Sequence, residues 1–600
     1  MKKILTMLAS IVVVGGSALT VLACKTRDNT NVVVQANDKW MPIYQMAADK
    51  VNKRFEEQGY KWRIKLKQID IFAEKGLIDL RGVRDKGVSD VFAVPLDRFP
   101  QYLNQNTLKD LTEYIKKSIA IDKEASERFG LQAVEGKTGI DGIKITKNEN
   151  SWKTAIGTDI KGKRQFGMIP MSIENMVWIF NEDRLGIKKE KGSDGKEYSY
   201  LVGSEVDKLN KNGALEKYGE KDPANVKLKD KPKANIENLI KLNQAQANSY
   251  KFANPKDVEN VTDINKGAPL AYIDAGGSFH GGMFLNSIIN KKSDEISAEK
   301  DDKSSLGMVW VKKGKPINTT NIDDFDSIWE NNKFKDDFNK TTETIVNYVK
   351  SLGGHINQIY GGAAGQISQI LDDALRDGTT AMTLVGPWEV SSKLETMKKA
   401  AKNKTAKFGF ASIGDITFNG DSKLTGFAGG YGWGIKSSIS NTKLKNNKGE
   451  EMDKTSAALE FIKEISKKEY ATEMAFVDGK ISAYKDVADN LVKELKEGTN
   501  IPELNDKGVK KTKEELEAEK ENRKIIGQAY ESIVKGYEKT GKDADVAPRA
   551  DNEMFGIYWG AYGTAFGSTF NKKQNEGMKQ KFSEIFRSTY KREKDQYKFH

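Results

Sequence analysis

Twice in this chain a carboxylate and a cation stand side by side just beyond an apolar run. Asp38-Lys39 follows Val32-Val33-Val34, and Asp97-Arg98 follows Val91-Phe92-Ala93-Val94. Adjacent groups of opposite charge can accept from one hydroxyl and donate to its neighbour, at about 1.5–3 kcal/mol per charged hydrogen bond. Glu174 comes four residues after Pro170, Phe279 follows the apolar stretch Leu270–Ile273, Trp388 closes a Gly386-Pro387-Trp388 turn, and Trp559 lies within Ile557–Ala565. Aromatic faces cover the apolar C–H faces of a pyranose, while ionised groups take its hydroxyls. Singly, each feature is ordinary: an Asp-Lys turn, a surface ion pair, a core tryptophan. Together they have the composition of a carbohydrate cleft.

The elements that must position these residues alternate between strand and helix. Val32–Val34 reads as a short buried strand, and Ile43–Phe55 has helical spacing with Met46, Ala47, Val51 and Phe55 on one face. Arg63–Lys67 alternates like a half-buried strand, and Val91–Val94 is a second apolar strand, ended by Pro95. Gln366–Arg376 reads as a helix leading through Asp377-Gly378 into the strand before Trp388. This order predicts an α/β fold with mainly parallel sheets. Ligands of such sheets bind beyond the carboxyl ends of strands, where both Asp38-Lys39 and Asp97-Arg98 fall.

Several segments resemble the maltose/maltodextrin-binding family of extracellular solute-binding proteins. The start, Val32 to Lys39, is similar to that family's first strand and loop, closed by an Asp-Lys pair. Asp90-Val91-Phe92-Ala93-Val94-Pro95-Leu96-Asp97-Arg98-Phe99 resembles its strand ending in Asp-Arg-Phe. Phe166–Asn181, with Gly167-Met168-Ile169-Pro170 leading into Val177-Trp178-Ile179-Phe180-Asn181, resembles its first crossing between lobes. Phe427–Ile435 resembles a later crossing. The resemblance implies that Asp38, Lys39, Asp97, Arg98 and Glu174 contact sugar hydroxyls, and that Trp388 and Trp559 lie under sugar rings. Phe279 stands where the family has a Tyr, and Tyr558 is the rival of Trp559. Val94 and Gly277 depart from the pattern, replacing a cleft Trp and a Glu, and leave the sugar itself open.

The resemblance further implies a two-lobed α/β clamp of the periplasmic-binding-protein type, with discontinuous lobes and a hinge. The N-terminal lobe is expected to use 32–172 and 427–485, and the C-terminal lobe 173–426 and 521–600. The charged stretches 188–266 and 498–520 read as insertions made of solvated helices and loops. Hinge closure around a ligand requires tighter binding to the closed form. An ATP-driven (ABC) importer's permease subunits are the implied membrane partner.

Met1-Lys2-Lys3 and the apolar stretch Ile4–Leu22 have the layout of a secretory signal, so 1–23 reads as a lipoprotein signal peptide. Ala23-Cys24 resembles the bacterial lipoprotein cleavage box, although Leu22 departs from it. Cys24 is the chain's single cysteine, so it forms no internal disulfide. It is the expected lipidation site, with 24–31 as a flexible tether from the lipid bilayer and the body on the extracytoplasmic side. An uncleaved signal anchor is the alternative.

The chain has 600 residues, 97 Lys and Arg against 85 Asp and Glu, and a formal net charge of +12. The two signs are interleaved throughout, so a nucleic-acid partner is not expected. No cofactor is expected either: no phosphate-binding glycine loop or nucleophile elbow occurs. His280, His355 and His600 have no partner at ligand spacing, which predicts no metal site. Two rivals stay open. One is the same fold with another solute. The other is a cell-surface glycosidase using two carboxylates such as Asp97 and Glu174.

Overall fold

The computed structural model describes residues 30–159, 163–211, 231–249, 269–292, 303–305, 309–312, 325–327, 329, 332–352, 371–399, 407–499, 510–539, 544–547, 554–570 and 581–596. The leader, Cys24, most of the tether, His355, His600 and much of both charged stretches lie outside the described residues.

The strands that matter for the site are, in chain order, β1 (Asn31–Ala36), β2 (Arg63–Gln68), β3 (Val91–Pro95), β4 (Met168–Glu174), β5 (Val177–Asn181), β6 (Ala271–Tyr272), β7 (Met382–Val385), β8 (Phe408–Ser412), β9 (Gly429–Ile435) and β10 (Ile481–Ser482). The helices are α1 (Met41–Glu57), α2 (Ile71–Arg81), α3 (Ser278–Lys291), α4 (Lys454–Ile465), α5 (Lys485–Glu497), α6 (Lys513–Glu538) and α7 (Met554–Phe570). The chain separates into two compact units. One is made of the residues up to Phe92 with Ser438–Glu464, the other of Ala93–Ser437 with Ile465–His600.

In the first unit β1 runs parallel to β2 over Asn31–Ala36 and parallel to β3 at Val34 and Val91. Helix α1 carries Pro42 in its first turn, where a missing amide hydrogen costs no helical bond. It buries Ile43, Tyr44, Ala47, Ala48, Val51 and Phe55, whereas Met46, expected on that face, is exposed. Positions 43, 47, 51 and 55 follow one stripe, and Met46 sits about 100° away from Ala47 around the helix. Asp90 and Lys454 form an ion pair at 3.0 Å with both side chains almost fully shielded. Asp90 also accepts from the Val33 amide at 2.9 Å, tying the Asp90 side chain to β1.

The second unit contains the sheet β6-β7-β5-β8, in which β6 and β7 are parallel while β7 and β8 both run antiparallel to β5. Elsewhere in it, β9 and β10 flank β4, both antiparallel. The expectation of mainly parallel sheets therefore gives way to mixed ones. Only Asn175 and Met176 separate β4 from β5, far too few residues for a parallel return, so the chain runs from one sheet into the next. The register of β4 against β9 runs from Gly429 opposite Glu174 to Gly434 opposite Met168. The expected lobe boundaries 172/173 and 426/427 fall within or beside these paired segments.

Two apolar clusters fill the second unit. One gathers Trp178, Phe180, Tyr272, Phe284, Trp329, Tyr558 and Phe586, and the other Ile173, Val385, Leu394, Ile481, Leu491 and Ile533. The described part of 188–266 is not simply solvated. Leu201, Val206, Ile236, Leu239 and Leu242 are buried in the first cluster. Their apolar spacing is diluted by polar and charged residues over the whole stretch, which hid the face in the composition. Residues 513–520 open α6, whose start is closed by a reciprocal capping box between Thr512 and Glu515. Among the described residues, no helix is long and apolar enough to cross a membrane.

Candidate functional site

Asp38 and Lys39 occupy a short 3-10 turn directly after β1, in the first unit, and both are exposed. Asp38 accepts from Gln68 Nε2 at 2.5 Å. The turn is held from below by Asn37, whose side-chain oxygen accepts from Gln35 Nε2 and from the Ile71 amide at the start of α2. Trp40, which follows, is completely buried and anchors it.

The remaining candidates belong to the second unit. The Leu96 amide donates to the Gly430 carbonyl at 3.1 Å, fixing the turn that presents Asp97 and Arg98. Asp97 is exposed; Arg98 is half-buried and donates to Gln101 Oε1 at 2.7 Å. Gly430 has φ +136, and a Cβ there would lie 1.9 Å from the Ser172 carbonyl oxygen, so close strand approach demands glycine. The next residue, Tyr431, presents its ring to Lys480 Nζ, 4.3 Å from the centroid. Lys480 in turn donates to Glu174 Oε1 at 2.6 Å, with side-chain exposures of 9% and 14%. Glu174 thus sits at the end of β4 with a committed partner 306 positions away, which no local pattern names.

Trp388 joins this cluster through Gly479. That residue has φ +62, and a Cβ on it would lie 2.8 Å from the Pro387 carbonyl oxygen and 2.9 Å from Trp388 Cα. The Gly-Pro-Trp turn follows β7 and leaves Trp388 43% exposed, which is unusual for so large an apolar group. Trp559, on α7, is half-buried against the core, 5.9 Å from the Phe427 ring. Phe427 lies two residues before Gly429, the strand partner of Glu174. Its rival Tyr558 is fully buried, stacked on Trp329 and edge-on to Phe427 and Phe586. Tyr558 is therefore a core residue. Phe279 lies in the first turn of α3, but its side chain is outside the described residues.

Beyond the carboxyl end of β6 lie Asp274 and His280, and beyond β7 lies Glu389. Burial pulls the His280 imidazole below the usual histidine range, while Asp274 and then Glu389 push it back up. Tyr562 Oη donates to the Ala275 carbonyl at 2.7 Å, which clamps α7 against this segment. In the sequence His280 stood out only as a histidine without a partner at ligand spacing, and a lone Asp or Glu after a strand carries no pattern. Among the described residues no group of His, Cys, Asp and Glu is arranged to hold a metal ion.

With this geometry in place, the chain can be set beside known proteins. Residues 325–503 match the bacterial extracellular solute-binding protein family. Comparison with curated protein sequences finds no match. Among solved structures, the fold is similar to that of a cyclo/maltodextrin-binding protein complexed with maltotetraose, at 11% identity and a TM-score of 0.50, over 95% of this chain and 98% of that one. A maltose-binding periplasmic protein from Listeria monocytogenes, in complex with maltose, gives 13% identity and a TM-score of 0.49 over 94% of this chain and 98% of that one. The fold is the α/β fold of periplasmic binding proteins.

Proposed function

We propose that this chain captures a carbohydrate of the maltose/maltodextrin class for an ATP-driven importer, and is not an enzyme. The observation that carries the reading is the exposed Trp388, held beyond β7 by Gly479 beside the Glu174–Lys480 pair. A flat apolar face next to fixed charges matches the two sides of a sugar ring, one apolar and one hydroxylated. The likeness in fold to a protein complexed with maltotetraose supports the same class of ligand. Capture works by closure of the lobes, provided the sugar binds the closed form better. Asp38, Lys39, Asp97, Arg98, Glu174, Phe279, Trp388 and Trp559 are the proposed sugar contacts, and the permease subunits are the proposed membrane partners.

The test is a titration with maltose and maltotetraose, followed by intrinsic tryptophan fluorescence. Trp388→Ala should weaken binding by about 1–3 kcal/mol through lost stacking and apolar contact. Its ligand-free stability should fall far less than the roughly 3–5 kcal/mol expected for a core aromatic. Intact affinity in this variant would remove Trp388 from the site. Acylation at Cys24 is proposed as the anchor. Cys24→Ser should release the folded protein from the membrane fraction, and unchanged partitioning would rule the lipid anchor out.

A further inference from the structure

We infer that the joint between the two sheets of the second unit is proton-linked: the buried Asp545 carboxyl, beside Asn175, gives up its proton as the lobes close, so sugar is held more tightly in neutral than in mildly acidic surroundings. This rests on the sugar-capture and closure reading above. Asn175 and Met176 are the whole connection between β4 and β5, so a rotation of one sheet against the other passes through their backbone angles. The later connection passes the same place. Gly426 and Phe427, just before β9, pair in parallel with Val546 and Ala547. The Gly426 amide donates to the Asp545 carbonyl at 2.8 Å, and a Cβ on Gly426 would lie 3.0 Å from Asn175 Oδ1. Asp545 and Asn175, 0% and 1% exposed, therefore sit at the joint itself.

Backbone grips the carboxylate on two sides. A Cβ on Gly536 of α6 would come within 2.6 Å of Asp545 Oδ2, and one on Gly414, in the turn after β8, would overlap Oδ1. The same Gly536 position lies 3.1 Å from Asn175 Nδ2, so the carboxylate and the amide flank one point. Asn175 Oδ1 accepts from the Met176 amide at 2.9 Å, while Nδ2 is buried and makes no hydrogen bond among the described residues. A shielded donor beside a carboxylate that it does not reach is costly, and a small turn at Asn175 would join them.

The charged groups acting on this carboxyl come from several elements. Lys539, just after α6, donates to both oxygens at 3.2 Å. Asp415 acts from the turn after β8, itself paired with Lys189 at 2.6 Å, and Lys423 acts from the short strand Ser422–Lys423. Burial pushes the carboxyl up to about 6; Lys539 lowers it, Asp415 raises it and Lys423 lowers it. A hydrogen bond from Nδ2 favours the ionised form, so closure that seats Nδ2 on Oδ2 expels the proton. By reciprocity, loss of the proton favours closure, and affinity for sugar rises with pH through this window.

The experiment measures binding of maltose and maltotetraose to the full-length protein by calorimetry, in pairs of buffers with different heats of ionisation, so that protons released on binding are counted. Near pH 6 the wild type should release a fraction of a proton, and from about pH 5 to about 7.5 its affinity should rise about three- to tenfold. Asp545→Asn should release none and bind equally across that range. Asn175→Ala keeps the carboxyl but lacks the donor, so its release should be much smaller; this variant decides the matter where Asp545→Asn folds poorly. Sugar binding by the wild type without proton release, or release that persists in Asp545→Asn or is unchanged in Asn175→Ala, would overturn this inference alone. A wild type that binds neither sugar would overturn it together with the sugar-capture reading.

Discussion

Breaking the Glu174–Lys480 pair should cost stability before any sugar is added, and the cost should be coupled rather than additive. The two charges meet at 2.6 Å with side-chain exposures of 14% and 9%. At an effective dielectric of about 20 their gross attraction is roughly 6 kcal/mol. Most of that is offset by removing both ions from water, leaving about 1.5–3 kcal/mol for a charged hydrogen bond. Lys480→Met strands the Glu174 carboxylate and also removes the ammonium from over Tyr431, which adds about 1 kcal/mol. We expect about 2–4 kcal/mol of destabilisation from Lys480→Met and about 1–2 kcal/mol from Glu174→Gln, whose amide still accepts a hydrogen bond. In the double variant no charge is stranded, so the combined loss should fall short of additivity by at least about 1 kcal/mol. Urea unfolding of the four proteins, followed by circular dichroism, measures this. High salt should change the coupling little, because the pair is mostly shielded. Additivity within about 0.5 kcal/mol would refute the reasoning and mean that the pair contributes nothing as a unit.

Two further outcomes follow from neighbouring residues. Tyr558→Ala should destabilise the protein by about 3–5 kcal/mol as a buried aromatic, whereas Trp559→Ala should cost less stability and more sugar affinity; calorimetric melts beside sugar titrations separate them. Burial, opposed by Lys539 and reinforced by Asp415, pushes the Asp545 carboxyl up to about 6, above its ordinary value of 3.8. The folded state then holds a proton that the unfolded state has released between about pH 4 and 6, so this group's contribution to stability falls as pH rises through that window. Asp545→Asn, neutral at every pH, should match the wild type near pH 4 and gain on it by up to about 3 kcal/mol near pH 7. A difference between the two proteins that does not change with pH would exclude the effect.

The legible parts of the chain were those in which one short segment carries its own physics. Strand β1 was visible in Val32–Val34, α1 in its apolar stripe, β3 in Val91–Val94 and the Trp388 turn in Gly386-Pro387. The positions of Asp97 and Arg98 after β3 followed from the strand ending at Pro95. Met46 was misplaced because helical spacing fixes a stripe only to within one residue of its edge. The buried face of 188–266 was obscured because its few apolar residues are interleaved with polar and charged ones, which dilute the periodic pattern.

By itself, the sequence determined the alternation of strands and helices, the turn residues that present the candidate side chains, and the mixture of charges and aromatics suited to a sugar. Those are local properties, set by propensity, patterning and turn chemistry over a few residues. Tertiary structure decided the partners. Glu174 and Lys480 are 306 positions apart and meet at 2.6 Å. Gly479 closely approaches the Trp388 turn. It also decided that Tyr558 is core while Trp559 reaches the surface, although the two are adjacent in sequence. Sheet order and register set these pairings, and no short stretch of sequence contains either one.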